Sequence, residues 1–189
     1  MITQKELMYV GIAVIVIAAA FAIGVILFGR FGEFEFKILF TTLAVGYYSM
    51  TISATLGEGE FYKATGLFGV IFGVLGLSVA LISIWNESAW KSDNMFRATW
   101  SLALMSFAIG HVTMNYRLSN QSTASVAVMI TANVIVAIVT FMLLSLIFDK
   151  HFNMSSSFAR TLFALSIATV ALTIINPIVG RATKPATES

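Results

Sequence analysis

His111 has the most evident capacity for chemistry, because this histidine lies well inside a long apolar segment of the sequence. An ionisable group at such depth in a membrane is a candidate for proton relay or for cofactor ligation. The ring also has a structural interpretation. Asn115 lies one helical turn away. Asn133 would lie level with His111 if the intervening turn centres near Ser122. A neutral His111 bonded to Asn133 or to Asn115 would be a satisfied packing pair, so the sequence leaves both interpretations open.

Cofactor and metal sites of the usual kinds have few candidate ligands. The second histidine, His151, lies beyond the next apolar segment, so a pair of histidines cannot ligate a haem inside the membrane. A single axial bond from His111, paired with one of the nine methionines, is the alternative that stays open. Cysteine is absent, and the acidic residues fall in or beside turns. We therefore predict no cofactor, no metal site and no catalytic residues, and we expect a protein that is not an enzyme.

Hydroxyl groups are concentrated in the second apolar segment, which is the most polar of the chain. Its serines and threonines can bond back to their own helix and need no other partner. Tyr47 and Tyr48 are different, because a phenol deep in hydrocarbon usually finds a hydrogen-bond partner. Either the hydroxyls of this face are satisfied within their own helix, or the face lines a polar cavity.

Composition indicates the environment in which these residues lie. The chain is 58% hydrophobic and only 11% charged, whereas a soluble domain is about 45–50% apolar and about 25% charged. The apolar residues also form long runs without the polar face that a soluble helix presents to water. The sequence therefore predicts an integral, multi-pass membrane protein.

Six apolar segments are each about 20 residues long, the length that crosses the hydrocarbon of a bilayer as a helix. Their approximate ranges are 7–28, 36–56, 64–85, 95–116, 124–148 and 158–179. The connections are short, so consecutive helices are antiparallel, and both termini lie on one side. Basic residues are nearly balanced between the two faces, so the sequence does not favour one orientation. We predict an all-α, six-helix transmembrane bundle over residues 1–181, with a flexible polar tail at 182–189.

A weak internal repeat groups these helices in pairs. The even segments open with a basic residue followed three positions later by an aromatic residue, as in Lys37 and Phe40, with a period of about sixty residues. Such a repeat would make the bundle three related hairpins. Flanking cations and aromatic belts also mark unrelated helix ends, so six independent helices are the alternative.

The third segment carries a stripe of small residues at alternating steps of three and four. Its members are Gly66, Gly69, Gly73, Gly76, Ala80 and Ser83. Such a stripe lets a neighbouring backbone approach closely, which is how helices gain contact in lipid. Shorter stripes on the second and fourth segments make those helices the expected partners. Packing is one interpretation, and a sliding helix or narrow passage is the other.

Two function classes follow from these patterns. The first is a non-catalytic accessory or structural subunit of a larger membrane complex, whose partners are the lipid bilayer and other membrane proteins or a second copy of itself. The second is a small-solute or ion transporter or channel, with a path lined by the second segment and His111. The net charge of +2 is small and scattered, so nucleic acid is not an expected partner.

Overall fold

The computed structural model describes residues 32–57, 59–119, 122–149 and 155–182, together with eight single positions between 9 and 24. Over these ranges the chain is helical and contains no strand. Six helices have defined bounds: α1 (Glu33–Thr55), α2 (Glu60–Trp85), α3 (Glu87–Trp90), α4 (Asp93–Leu118), α5 (Thr123–Phe148) and α6 (Ser156–Ala182). The predicted all-α architecture is confirmed.

Four of these helices, α1, α2, α5 and α6, are long and apolar enough to cross a membrane. They have 23 to 27 residues, or about 35–40 Å at about 1.5 Å per residue, against about 30 Å of hydrocarbon. Helix α4 matches them in length but carries more polar side chains, and it is less apolar than these four helices. Four candidate spans suggest an integral membrane protein.

The predicted segment 7–28 lies largely outside the described residues, although each of its described positions is helical. Residues 183–189 of the predicted tail also lie outside them, as does His151. The other predicted segments match α1, α2, α4, α5 and α6, with ends that differ by at most four residues.

The short helix α3 was not predicted from the sequence. It begins because the Asn86 side chain accepts hydrogen bonds from the backbone N–H groups of Ser88 and Ala89, at 3.0 and 3.2 Å. This is the usual function of an asparagine N-cap. The connection from α2 to α4 therefore contains one helical turn with a side-chain N-cap.

At Pro177 the structure differs from what the sequence predicts. Because proline lacks an N–H group and disfavours helix before it, the sequence predicts that helix six stops near Asn176 and Pro177. Helix α6 instead continues through Pro177 to Ala182. Asn176 and Gly180, on either side of the proline, are buried. Packing of this last stretch therefore outweighs the lost hydrogen bond, as occurs in other membrane helices.

The chain divides into two compact units, Met1–Gly110 and His111–Ser189, and the division lies within α4. In the first unit α2 packs against α1 and α3, and in the second α5 packs against α6. The single six-helix bundle predicted over residues 1–181 stays a prediction.

Candidate functional site

The small-residue stripe of α2 lies in the packed interior of the first unit. All six of its members are buried. A side-chain carbon built at Gly69 would lie 2.2 to 2.5 Å from Thr55, and one at Gly73 would lie 2.3 Å from Ile52. One at Gly76 would lie 2.5 Å from the Tyr48 ring. The glycines thus form a groove that side chains of α1 fill.

The helix that fills the groove, α1, is the second predicted segment, which was one of the two expected partners. Small residues of the second segment, among them Gly46 and Ser53, were the predicted partners, and both are buried. The groove, however, receives the larger Tyr48, Ile52 and Thr55. A large side chain against glycine fills space that two facing small residues would leave empty.

A seam of hydroxyl groups connects α4 to α1 and α2 in the first unit. The Tyr47 hydroxyl donates to the backbone oxygen of Ala103 at 2.6 Å. Ser106 donates to the Thr51 hydroxyl at 2.9 Å, and the Thr51 hydroxyl in turn donates to the Tyr48 backbone oxygen at 3.1 Å. The predicted polar face of the second segment therefore contacts α4.

Tyr48 differs from its neighbour. Its ring is 2% exposed and meets the Tyr47 ring edge-on at 5.0 Å. Its hydroxyl has no hydrogen-bond partner among the described residues. A buried hydroxyl without a partner costs free energy, which the packing of the Tyr48 ring against Gly76 has to offset.

A second polar cluster lies in the second unit and includes all three residues predicted around His111. Asn115 Nδ2 donates to Asn133 Oδ1 at 3.0 Å and lies 3.1 Å from His111 Nδ1. His111 Nε2 lies 2.9 Å from the Thr173 hydroxyl. Asn115 is fully buried and His111 is 9% exposed. The cluster thus links α4, α5 and α6, with Asn115 at its centre.

Asn176 extends this cluster, although no sequence pattern predicts a function for its side chain. Its Nδ2 donates to the Asn115 backbone oxygen at 2.9 Å, and its Oδ1 accepts from the Ser125 hydroxyl at 3.2 Å. The available signal was the spacing of Thr173 and Asn176, which lie three positions apart and so share a helix face.

The hydrogen bonds fix the form of the His111 ring. Thr173 has one hydroxyl proton, which it donates to the backbone oxygen of Thr169 at 2.8 Å. Its oxygen must therefore accept from His111 Nε2–H, and Nδ1 must accept from the Asn115 amide. This set of donors and acceptors corresponds to a neutral His111 ring that carries its proton on Nε2 and bridges Asn115 and Thr173.

We expect a direct spectroscopic signature of this assignment. A ¹⁵N-histidine spectrum of the His151→Gln protein in lipid, in which His111 is the only histidine, should show a neutral ring protonated on Nε2. Thr173→Val removes the acceptor and should weaken that tautomer preference, whereas Thr161→Val, on an exposed part of α6, should not. A ring protonated on Nδ1 in the His151→Gln protein would contradict the assignment.

One atom of the cluster has no partner. Asn115 Oδ1 is buried and accepts no hydrogen bond in the part of the chain that the structure describes. Buried amide oxygens are almost always bonded, so such an exception marks strain or a place for water or another ligand. The described residues contain no group of three or more histidine, aspartate or glutamate side chains able to hold a metal ion.

Comparison of the chain with protein-family models, with curated proteins and with solved structures finds no match in any of the three.

Proposed function

We propose that this protein is a non-catalytic accessory or structural subunit of a larger membrane complex. Two properties support the proposal. Several polar side chains within the helices bond to a neighbouring helix and so hold the helices of each unit together. The large apolar side chains face outward, where lipid or another membrane protein covers them.

The observation that carries the proposal is the outer face of α6. Five large residues follow one another at steps of three or four and are 59 to 69% exposed: Phe163, Ile167, Val170, Ile174 and Ile178. Only 6% of the most apolar stretch of α6 is buried, against 33% of α1. Four of the five are β-branched and stiff, so they lose little entropy when another helix packs on them. We therefore assign the outer face of α6 as the surface that contacts a partner protein.

Purification from the native membrane in mild detergent tests this function. We expect the protein, captured by a C-terminal tag, to bring down one or a few membrane polypeptides in stoichiometric amount. Replacing Ile167 and Ile174 together by alanine should reduce that recovery severalfold. The matched pair Leu67 and Leu75, exposed on α2, should tolerate the same change. Recovery of this chain alone, or only with itself, would contradict the accessory function.

A transporter or channel for a small solute or ion is the second candidate. It is favoured by two of the three buried side-chain polar atoms that have no hydrogen-bond partner among the described residues, the Tyr48 hydroxyl and Asn115 Oδ1; the third is the Ser101 hydroxyl. Proteoliposomes carrying the protein would then show a flux that Tyr48→Phe or His111→Gln lowers, while Tyr116→Phe, at an exposed position, leaves it unchanged. Equal leakage from proteoliposomes and empty liposomes would exclude the tested solutes.

The threefold hairpin repeat belongs to the same proposal. Three related hairpins would give a subunit several similar helix faces in one chain, as duplication does in other membrane proteins. It is supported by the recurrence of Lys37 with Phe40, Arg97 with Trp100 and Arg160 with Phe163.

A further inference from the structure

A groove of about 440 Å³ opens at one end of the first unit, where α1 begins and α2 passes into α3. Its wall is apolar, formed by Phe36, Phe40 and Ile84. The two phenyl rings stack with their centroids 5.7 Å apart. The volume lies within the range of about 300–1,000 Å³ that small-molecule sites occupy.

The rim of this groove carries two positive and two negative side chains. Lys37 pairs with Glu33 on α1, and Lys91 pairs with Glu87 at 2.7 Å. Lys91 also acts electrostatically on Glu33, more weakly than Lys37 does, so both lysines attract this carboxylate. Charges of both signs therefore surround an apolar wall, with no net charge on the rim.

Neighbouring aromatic residues place the groove at the surface of the bilayer. Trp85 donates its ring N–H to the Thr41 hydroxyl at 2.9 Å and meets Phe34 edge-on at 6.3 Å. Both rings are at least half exposed. Tryptophan and other aromatic side chains collect at the headgroup level, with charged residues just beyond. An occupant would thus have its polar part among the four charges and its apolar part along Phe40 towards the hydrocarbon.

We propose that this groove binds one phospholipid with a zwitterionic, primary-amine headgroup. Lys37 and Lys91 would contact the phosphate, and Glu33 and Glu87 would accept hydrogen bonds from the ammonium group. A primary ammonium donates up to three hydrogen bonds, which a quaternary choline cannot do. An anionic phosphatidylglycerol headgroup offers the same phosphate to the two lysines but brings no cation to the two carboxylates. The side chain of Lys37 is 26% exposed, against 73% for Lys63, so its stem lies along the apolar wall while its charge reaches the rim.

Native mass spectrometry of the purified full-length protein tests the proposal. The protein receives phosphatidylethanolamine, phosphatidylcholine or phosphatidylglycerol with identical acyl chains. We expect one phosphatidylethanolamine to stay bound per chain, and the other two lipids to be retained more weakly. Lys37→Gln with Lys91→Gln should reduce retention about tenfold, which corresponds to about 1.4 kcal/mol. Lys63→Gln removes an equally charged lysine at the opposite end of α2 and should change nothing.

Two further measurements distinguish binding of the whole lipid from binding of its headgroup alone, and loss of the site from loss of the fold. Phe40→Ala should weaken lipid retention, and soluble glycerophosphoethanolamine, which has no acyl chains, should not compete. Each variant is compared with the parent protein by thermal unfolding in detergent, so that loss of fold is distinguished from loss of binding. Equal retention by the double lysine variant, tighter binding of phosphatidylglycerol, or full competition by the soluble headgroup would each overturn the proposal.

Discussion

Replacing Gly69 by alanine is expected to force α1 and α2 apart. The new methyl group would lie 2.5 Å from the β-carbon of Thr55, and rotation of the threonine side chain cannot move that atom. Thr55 is 1% exposed and has no free space to retreat into. Overpacking of this kind costs about 1–3 kcal/mol. Unfolding of the purified protein in detergent should show the loss as a lower midpoint temperature.

Gly110 offers the matched control. A methyl group there would lie 3.4 Å from the nearest atom, the Thr51 backbone oxygen, which is close to an ordinary contact. Gly110→Ala should therefore leave the midpoint nearly unchanged. Adding Thr55→Gly to Gly69→Ala removes the opposing side chain and should restore part of the loss. If Gly69→Ala is as stable as Gly110→Ala, α2 does not pack on α1 through this stripe.

Gly73→Leu separates packing from transport. The leucine side chain would start 2.3 Å from Ile52 Cγ1, so under the packing interpretation the folded protein is lost from the detergent extract. Under the transport interpretation the protein stays folded and only the flux is blocked. Size-exclusion chromatography of the extract distinguishes these outcomes, and we expect the folded peak to disappear.

Asn115→Leu is expected to have the second large effect. The substitution preserves the approximate shape of a fully buried side chain but removes the donor that His111 Nδ1 and Asn133 Oδ1 share. Each atom left without a partner costs about 1–3 kcal/mol in soluble proteins. Hydrogen bonds between membrane helices average only about 0.6 kcal/mol. We therefore expect a total loss of about 1–3 kcal/mol, measured as the free energy of unfolding in mixed micelles.

A double-mutant cycle makes this prediction specific. Once Asn115 is leucine, Asn133→Leu removes an acceptor that already lacks its donor, so the second change should cost less than it does in the parent protein. Asn94→Leu, on the exposed first turn of α4, provides the control and should change stability by at most about 0.5 kcal/mol. Additive effects of Asn115→Leu and Asn133→Leu would contradict the shared hydrogen bond.

Much of the fold could be predicted because its main signals are local. Long apolar runs determine where a membrane helix lies, and charged residues mark its ends. The alternating steps from Gly66 to Ser83 likewise indicated the buried face of α2, since every residue at those steps lies on one side of a helix. These inferences require no knowledge of the partner helix.

The remaining features depend on contacts that no local pattern specifies. Thr55 and Tyr48 fill the glycine groove because their shapes fit it. A hydropathy pattern does not predict which side chains have complementary shapes. The bond from Asn176 to the Asn115 backbone oxygen can be predicted only when the register of α6 against α4 is known. The prediction of a helix end at Pro177 is wrong, because the free-energy cost of proline in a helix is a local property whereas the packing that offsets it is not.

The central claim is that the long helices cross the bilayer, and α4 is the most informative helix on which to test it. The chain has no cysteine, so a single one can be placed at Asn94 or at Leu118, exposed positions near the two ends of α4. Each variant is expressed in intact cells and treated with a membrane-impermeant maleimide before and after detergent. The account predicts that one position is labelled in intact cells and the other only after detergent. Labelling of both positions, or of neither, in intact cells would show that α4 does not cross and would contradict the account.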